Sequence, residues 1–219
     1  GTTGDSCVAP CAVFFDATET TATTTSRPFH ELDYTWDFGD VNSGNWATNG
    51  KSKNSAKGAV AAHVFDPSPA DFNGQATRTY TVNLTVKDAN GNSATKTVGI
   101  SVQNPDVVFA GKTYYVSSSI GSDSYDGKCP TVQAGNCGPF ATFQKGMSMV
   151  ATNTRLLFKR GDSWTTSTGA TIGVSGPGVI GAYGTCVNPK AQGICKNNTQ
   201  IHSAANEMFK IVGATDWRV

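Results

Sequence analysis

Charge is the first thing this 219-residue chain has little of. Asp, Glu, Lys and Arg make up 15% of it, against about 25% in an average soluble domain. The two signs nearly cancel, 17 basic residues against 16 acidic, for a formal net charge of +1. No long-range field is therefore available to draw in nucleic acid or an anionic bilayer, and neither is expected as a partner. Nor is there an apolar run near the roughly 18 residues a membrane span needs, so membrane insertion is not expected. No basic segment followed by an apolar stretch opens the sequence. A P-loop, a dinucleotide fingerprint and a nucleophile elbow are all missing, which removes the usual signatures of nucleotide chemistry and serine hydrolysis. His30, His63 and His202 are dispersed, with no second ligand at metal spacing.

Thr, Ser, Asn and 24 Gly fill the polar positions instead. A hydroxyl-rich and amide-rich surface suits strands joined by tight turns. The six cysteines lie in three close pairs, Cys7 with Cys11, Cys129 with Cys137, and Cys186 with Cys195. None has the CxxC spacing of a zinc site or a redox dithiol. They read as three short disulfide staples, which places the chain in an oxidising compartment, secreted or at the cell surface.

Residues 1–104 carry an all-β pattern, with strands expected over residues 12–16, 34–38, 61–65, 80–87 and 94–102. In the fourth, Tyr80, Val82, Leu84 and Val86 alternate with Thr81, Asn83 and Thr85, the period of a strand with one face buried. Residues 39–58 show no period and read as a long polar loop. Several short antiparallel strands at this spacing suggest a small β-sandwich.

The quoted residues carry a resemblance. Ala12-Val13-Phe14-Phe15-Asp16-Ala17, Tyr34-Thr35-Trp36-Asp37-Phe38-Gly39-Asp40, His63-Val64-Phe65 and Tyr80-Thr81-Val82-Asn83-Leu84-Thr85-Val86-Lys87-Asp88 occur in the order found in the polycystic-kidney-disease-type (PKD) domain. The resemblance implies an immunoglobulin-like sandwich serving as a spacer or adhesion module. The chain departs from that family by its insertion after Asp40 and by the broad loop at residues 66–77.

Gln103-Asn104-Pro105-Asp106 reads as a linker, and residues 105–219 follow a second pattern. A strand is expected at residues 112–116 and a helix over residues 139–151, with Phe140, Phe143, Met147 and Val150 on one face. Short apolar bursts separated by Gly, Asn and Ser turns then continue to Trp217-Arg218-Val219. Such bursts can stack into a solenoid whose coils bury their inward faces on one another. Thr113-Tyr114-Tyr115-Val116, Gly121-Ser122-Asp123-Ser124-Tyr125-Asp126-Gly127, Gly138-Pro139-Phe140-Ala141-Thr142-Phe143 and Arg160-Gly161-Asp162 resemble the N-terminal entry of right-handed parallel β-helix proteins of the pectate-lyase-like kind. That resemblance implies a helix capping the first coils and a parent protein that handles polysaccharide. With two or three coils present, the chain is expected to be a segment of something longer, or a subunit whose open end docks on a neighbour.

The expected fold class is thus all-β, an immunoglobulin-like sandwich followed by the capped first coils of a parallel β-helix. Trp46 and Trp164 stand in polar surroundings and are the candidates for stacking on sugar rings; Trp36 and Trp217 are expected in cores. Asp123 and Asp126, with Ser122 and Ser124, could offer oxygens to calcium, the one cofactor considered, or could cap local turns. Asp162 reads as a turn residue, and no pair of carboxylates is spaced persuasively for glycosidic bond cleavage, so no catalytic residue is assigned. The expected function is non-catalytic: a segment of an extracellular protein that binds or processes polysaccharide, or alternatively a structural subunit of a surface layer, fibre, adhesin or viral appendage.

Overall fold

The computed structural model describes residues 6–187, 195–204 and 207–219. Among the described residues the structure is mostly β, with three short α-helices, and the chain divides into two compact units, Gly1–Val108 and Phe109–Val219. Among the described residues no helix is long and apolar enough to cross a membrane.

In the first unit the strands are β1 (Cys7–Val8), β2 (Cys11–Asp16), β3 (Asp33–Asp37), β4 (Ser55–Lys57), β5 (Val60–Phe65), β6 (Thr77–Lys87) and β7 (Ser93–Gln103), with helices α1 (Pro28–Glu31) and α2 (Pro105–Val108). One sheet has the order β1-β7-β6-β3-β4, antiparallel except where β1 meets β7. A second sheet pairs β2 with β5, antiparallel. Inward residues of both sheets share one core, with Phe15 from β2, Trp36 from β3, Phe65 from β5, and Tyr80 and Val82 from β6. The alternation read in β6 is the alternation observed: Tyr80, Val82 and Leu84 are buried while Thr79 and Thr81 are exposed.

Two expectations are revised here. The segment 39–58 is not simply a loop, because it contains β4 and a bridge between Asn45 and Ser52. The supposed linker is helical at Pro105–Val108, where Asn104 accepts the Asp106 amide at 2.9 Å, so α2 belongs to the first unit.

The second unit contains β8 (Thr113–Val116), helix α3 (Phe143–Met147), β9 (Thr154–Lys159), β10 (Ser163–Thr166), β11 (Ala170–Ile172), β12 (Gly178–Tyr183), β13 (Gln200–Ser203), β14 (Phe209–Ile211) and β15 (Trp217–Arg218). Its strand pairings are parallel: β15-β12-β9-β8 in one sheet, β10 with β13, and β11 with β14. In β9 the residues Thr154, Leu156 and Phe158 are buried and Arg155, Leu157 and Lys159 are partly exposed. The core gathers Val116, Phe140, Phe143, Leu156, Phe158, Trp164, Ile172 and Ile180.

The helix expected over residues 139–151 is confined to Phe143–Met147. Phe140 is extended and lies in register with Val116, its amide donating to the Tyr115 carbonyl, so the helix cannot start before it. Thr142 then caps the helix by accepting the Lys145 amide. Phe140, Phe143, Met147 and Val150 nevertheless all reach the core.

Disulfides join Cys7 to Cys11, Cys129 to Cys137, and Cys186 to Cys195. They fit an oxidising, extracellular setting. The interior of the last loop, residues 188–194, lies outside the described residues.

Asp162 is more than a turn residue. Only 6% exposed, it accepts from the Ser117 hydroxyl at 2.6 Å and the Ser119 amide at 3.1 Å, and lies 3.4 Å from Lys159 Nζ. Desolvation alone would raise its pKa, but the hydrogen bonds from Ser117 and Ser119, with the Lys159 charge, outweigh it and hold the carboxyl below the usual range. A depressed folded pKa stabilises above the unfolded value of about 4, and that stability is lost as pH falls through the folded value. Asp162→Asn is therefore expected to lower the melting temperature at neutral pH, and the gap from wild type is expected to narrow between about pH 5 and pH 2. Melting curves across that range check this; a gap independent of pH would contradict it.

Candidate functional site

The site begins where β3 ends. Asp37 Oδ1 accepts from the Gly39 amide and from Asn54 Nδ2, both at 2.9 Å, and the Phe38 amide donates to the Asn54 carbonyl. Asn54 Oδ1 in turn accepts the Asp40 amide. One side chain thus fastens the turn after β3 to the far end of the 41–54 segment. Gly39 adopts φ +67°, and a Cβ there would meet the Thr81 carbonyl oxygen at 2.4 Å, so the turn needs glycine for both conformation and room.

The turn aims Asp40 inward. Its carboxylate accepts from His63 Nε2 at 2.9 Å, with both residues buried. The His63 ring stacks on Phe38 at 4.4 Å and meets Phe65 edge-on at 4.6 Å. The sequence analysis found no partner at metal spacing for His63, and its pairing with Asp40 across 23 residues left no local signal.

From Asp40 the chain rises into a small arm. The Trp46 amide donates to the Lys51 carbonyl, the Gly50 amide returns to the Trp46 carbonyl, and the Lys53 amide donates to the Gly44 carbonyl. This pins both flanks of Trp46 by backbone while its indole stays 54% exposed. Lys53 Nζ lies 5.4 Å from the ring centroid.

Trp46 forms one wall of a cleft of about 530 Å³ whose other lining includes Asn42, Ser43, Lys53, Asp66 and Asp71. Asp71 is held by Ser68, which donates through both its hydroxyl and its amide, and by Asn42 at 3.0 Å; these bonds keep its pKa low against a smaller desolvation effect, with Arg78 adding to them. Asp66 behaves oppositely. Desolvation in the cleft, followed by the charge of Asp40, raises its pKa. Tyr80, at the cleft's base, is pushed up to about 12 by desolvation first and the Asp40 charge second. Trp46 also lines a smaller cleft, about 290 Å³, together with Thr35, Asn49, Lys51, Ser52 and Lys57. The arrangement offers an exposed apolar ring on a backbone-anchored arm, with amides, hydroxyls and charges around it. A larger cleft of the same unit, about 620 Å³, has threonines and aliphatic side chains in its lining and no aromatic ring.

The other sugar-stacking candidate is corrected. Trp164 is 6% exposed, donates its indole N–H to the Ala141 carbonyl at 2.8 Å, and meets Phe158 edge-on within the core of the second unit. Its faces are taken by packing. Asp123 accepts from the Ala141 and Thr142 amides with one oxygen and from the Thr142 hydroxyl with the other. Asp126 accepts the Lys128 amide. These are the turn-capping roles weighed against calcium. Among the described residues there is no group of three or more His, Cys, Asp or Glu that could hold a metal ion.

Of the predicted site residues, then, Trp46 stands at a cleft, and the structure adds Lys53, Asp66 and the Asp40–His63 pair around it. No family model, curated protein or solved structure matches this chain.

Proposed function

We propose that this chain is a non-catalytic segment of a secreted or cell-surface protein and that it binds extracellular polysaccharide, with Trp46 as the platform for a sugar ring. The observation that carries the reading is Trp46 itself: an indole half open to solvent, on an arm held by backbone hydrogen bonds, lining two clefts that also carry amide, hydroxyl and charged side chains. The apolar face of a pyranose lies flat on such a ring, and hydroxyls around its rim need the donors and acceptors that Asn42, Ser43, Asn49 and Ser52 supply. Binding is favoured over catalysis because two of the three carboxylates at the larger cleft are already engaged, Asp40 by His63 and Asp71 by Ser68, Asn42 and Arg78.

The wider reading is a PKD-type, immunoglobulin-like sandwich followed by the first coils of a right-handed parallel β-helix. Support for the first part is the pair of sheets around a common core that includes Trp36 and Phe38 of the motif. The second part draws on the parallel pairing of its successive strands. In this reading the sandwich is the adhesive module and the coils belong to the polysaccharide-handling parent.

The test is calorimetric titration with neutral and anionic oligosaccharides of six sugars. Trp46→Ala is expected to weaken whatever binding is found by about tenfold or more, the order that loss of an aromatic anchor costs, with an unchanged melting temperature. Equal affinity in wild type and variant would remove Trp46 from the site, and absence of binding to any glycan would remove the reading.

A further inference from the structure

Trp46 lines two clefts whose charged linings differ. The larger of the two is lined by Asp40, Asp66 and Asp71 with Lys53 and the His63 paired with Asp40, and Arg78 lies 3.4 Å from Asp71. Lys51 and Lys57 line the smaller cleft with Thr35, Asn49, Ser52 and Ser55, and no carboxylate is among its lining residues. Asp33 bonds Lys57 from outside that lining, at 3.2 Å to each oxygen, and Thr35 Oγ1 also accepts from Lys57. Lys57 is thereby held in a fixed place, while Lys51, exposed, has its amide tied to Asn49 Oδ1 at 3.0 Å. Lys51 and Lys57 thus line the cleft that Asp66 and Asp71 do not.

We propose that the Lys51–Lys57 cleft is a subsite for an anionic group, carboxylate or sulfate ester, on a sugar next to the one stacked on Trp46. The inference rests on the polysaccharide reading above and adds two properties to it. The ligand is the interior of a chain, because Trp46 lines both clefts and a ring stacked on it would have a neighbour in each. It is also oriented, because an anionic substituent is attracted on the Lys51 side and repelled by Asp66 and Asp71 on the other. An ammonium is a compact charge with three donors that accepts either anion, so the clefts themselves do not distinguish carboxylate from sulfate.

Matched pairs isolate the charge: a κ-carrageenan hexasaccharide against its desulfated form, and a hyaluronan hexasaccharide against its carboxyl-reduced form, each titrated into the full chain. In at least one pair the anionic member is expected to bind about fivefold tighter, the order two solvent-exposed charge contacts supply, and the advantage should fall as salt rises. The pair that shows the gap identifies the anion. In the Lys51→Gln/Lys57→Gln variant the gap should close while affinity for the neutral member stays within about twofold. Asp33→Asn, which releases Lys57 from its partner, should widen it. If charged and neutral members bind wild type equally, or if the gap survives loss of both lysines, the anionic subsite is overturned while the Trp46 reading stands. If no member of either pair binds, both fall together.

Discussion

Replacing Phe158 with alanine is expected to cost the Phe109–Val219 unit about 3–5 kcal/mol, the range for removing a fully buried aromatic. Phe158 is 1% exposed on β9, the strand flanked in its sheet by β8 and β12. Its ring meets Trp164 edge-on at 5.2 Å and stacks on Phe143 at 5.9 Å, so three elements lose a shared surface at once. Short parallel strands cannot relax far into the cavity without breaking register with both neighbours. The neighbouring residue is the control. Leu157 points to the opposite face and is only half-buried, so Leu157→Ala is expected to cost about 1 kcal/mol. Urea unfolding followed at the unit's own transition measures both. Comparable losses at the two positions would contradict the alternation on which the whole unit is built.

Gly39→Ala is the second large effect, at about 3 kcal/mol. Positive φ alone costs a non-glycine residue about 1–2 kcal/mol, and here the new methyl would also sit 2.4 Å from a carbonyl oxygen of β6, a backbone atom that cannot swing aside. Gly44 separates the two contributions, because it has φ +72° and open space around the would-be Cβ. Gly44→Ala should therefore cost only the conformational part, about 1–2 kcal/mol. Thermal or urea unfolding of the two variants decides this. If Gly44→Ala proves as costly as Gly39→Ala, the contact with Thr81 is not what makes Gly39 necessary.

How much of this was legible beforehand depended on how local the cause was. The β6 alternation of Tyr80, Val82 and Leu84 is a period-two signal written over a few residues, and the strand follows it. Close cysteine spacing likewise stated the three pairings. The shortened helix at Phe143–Met147 was hidden because Phe140, Phe143, Met147 and Val150 do face one core, yet Phe140 reaches it from extended backbone paired with Val116. Helical spacing and a strand-plus-helix arrangement place the same apolar residues inward. Trp164 misled for a related reason. Its neighbours Ser163, Thr165 and Thr166 look polar, but alternation along β10 turns Trp164 to the core and leaves Ser163 and Thr165 exposed. The Asp40–His63 pair and the buried Asp162 depend on contacts between residues 23 and 45 positions apart, which no window of sequence reveals.

The most direct measurement is the response of the indole N–H resonances to oligosaccharide in a two-dimensional ¹⁵N–¹H spectrum of the intact chain. There are four tryptophans. Trp36, Trp164 and Trp217 donate their indole N–H to the carbonyls of Gly58, Ala141 and Val174, whereas Trp46 stands open to solvent. If the account is right, titration with the hexasaccharide that binds moves the Trp46 indole signal progressively and leaves the other three in place. A bound glycan that shifts one of those three and not Trp46 would contradict it.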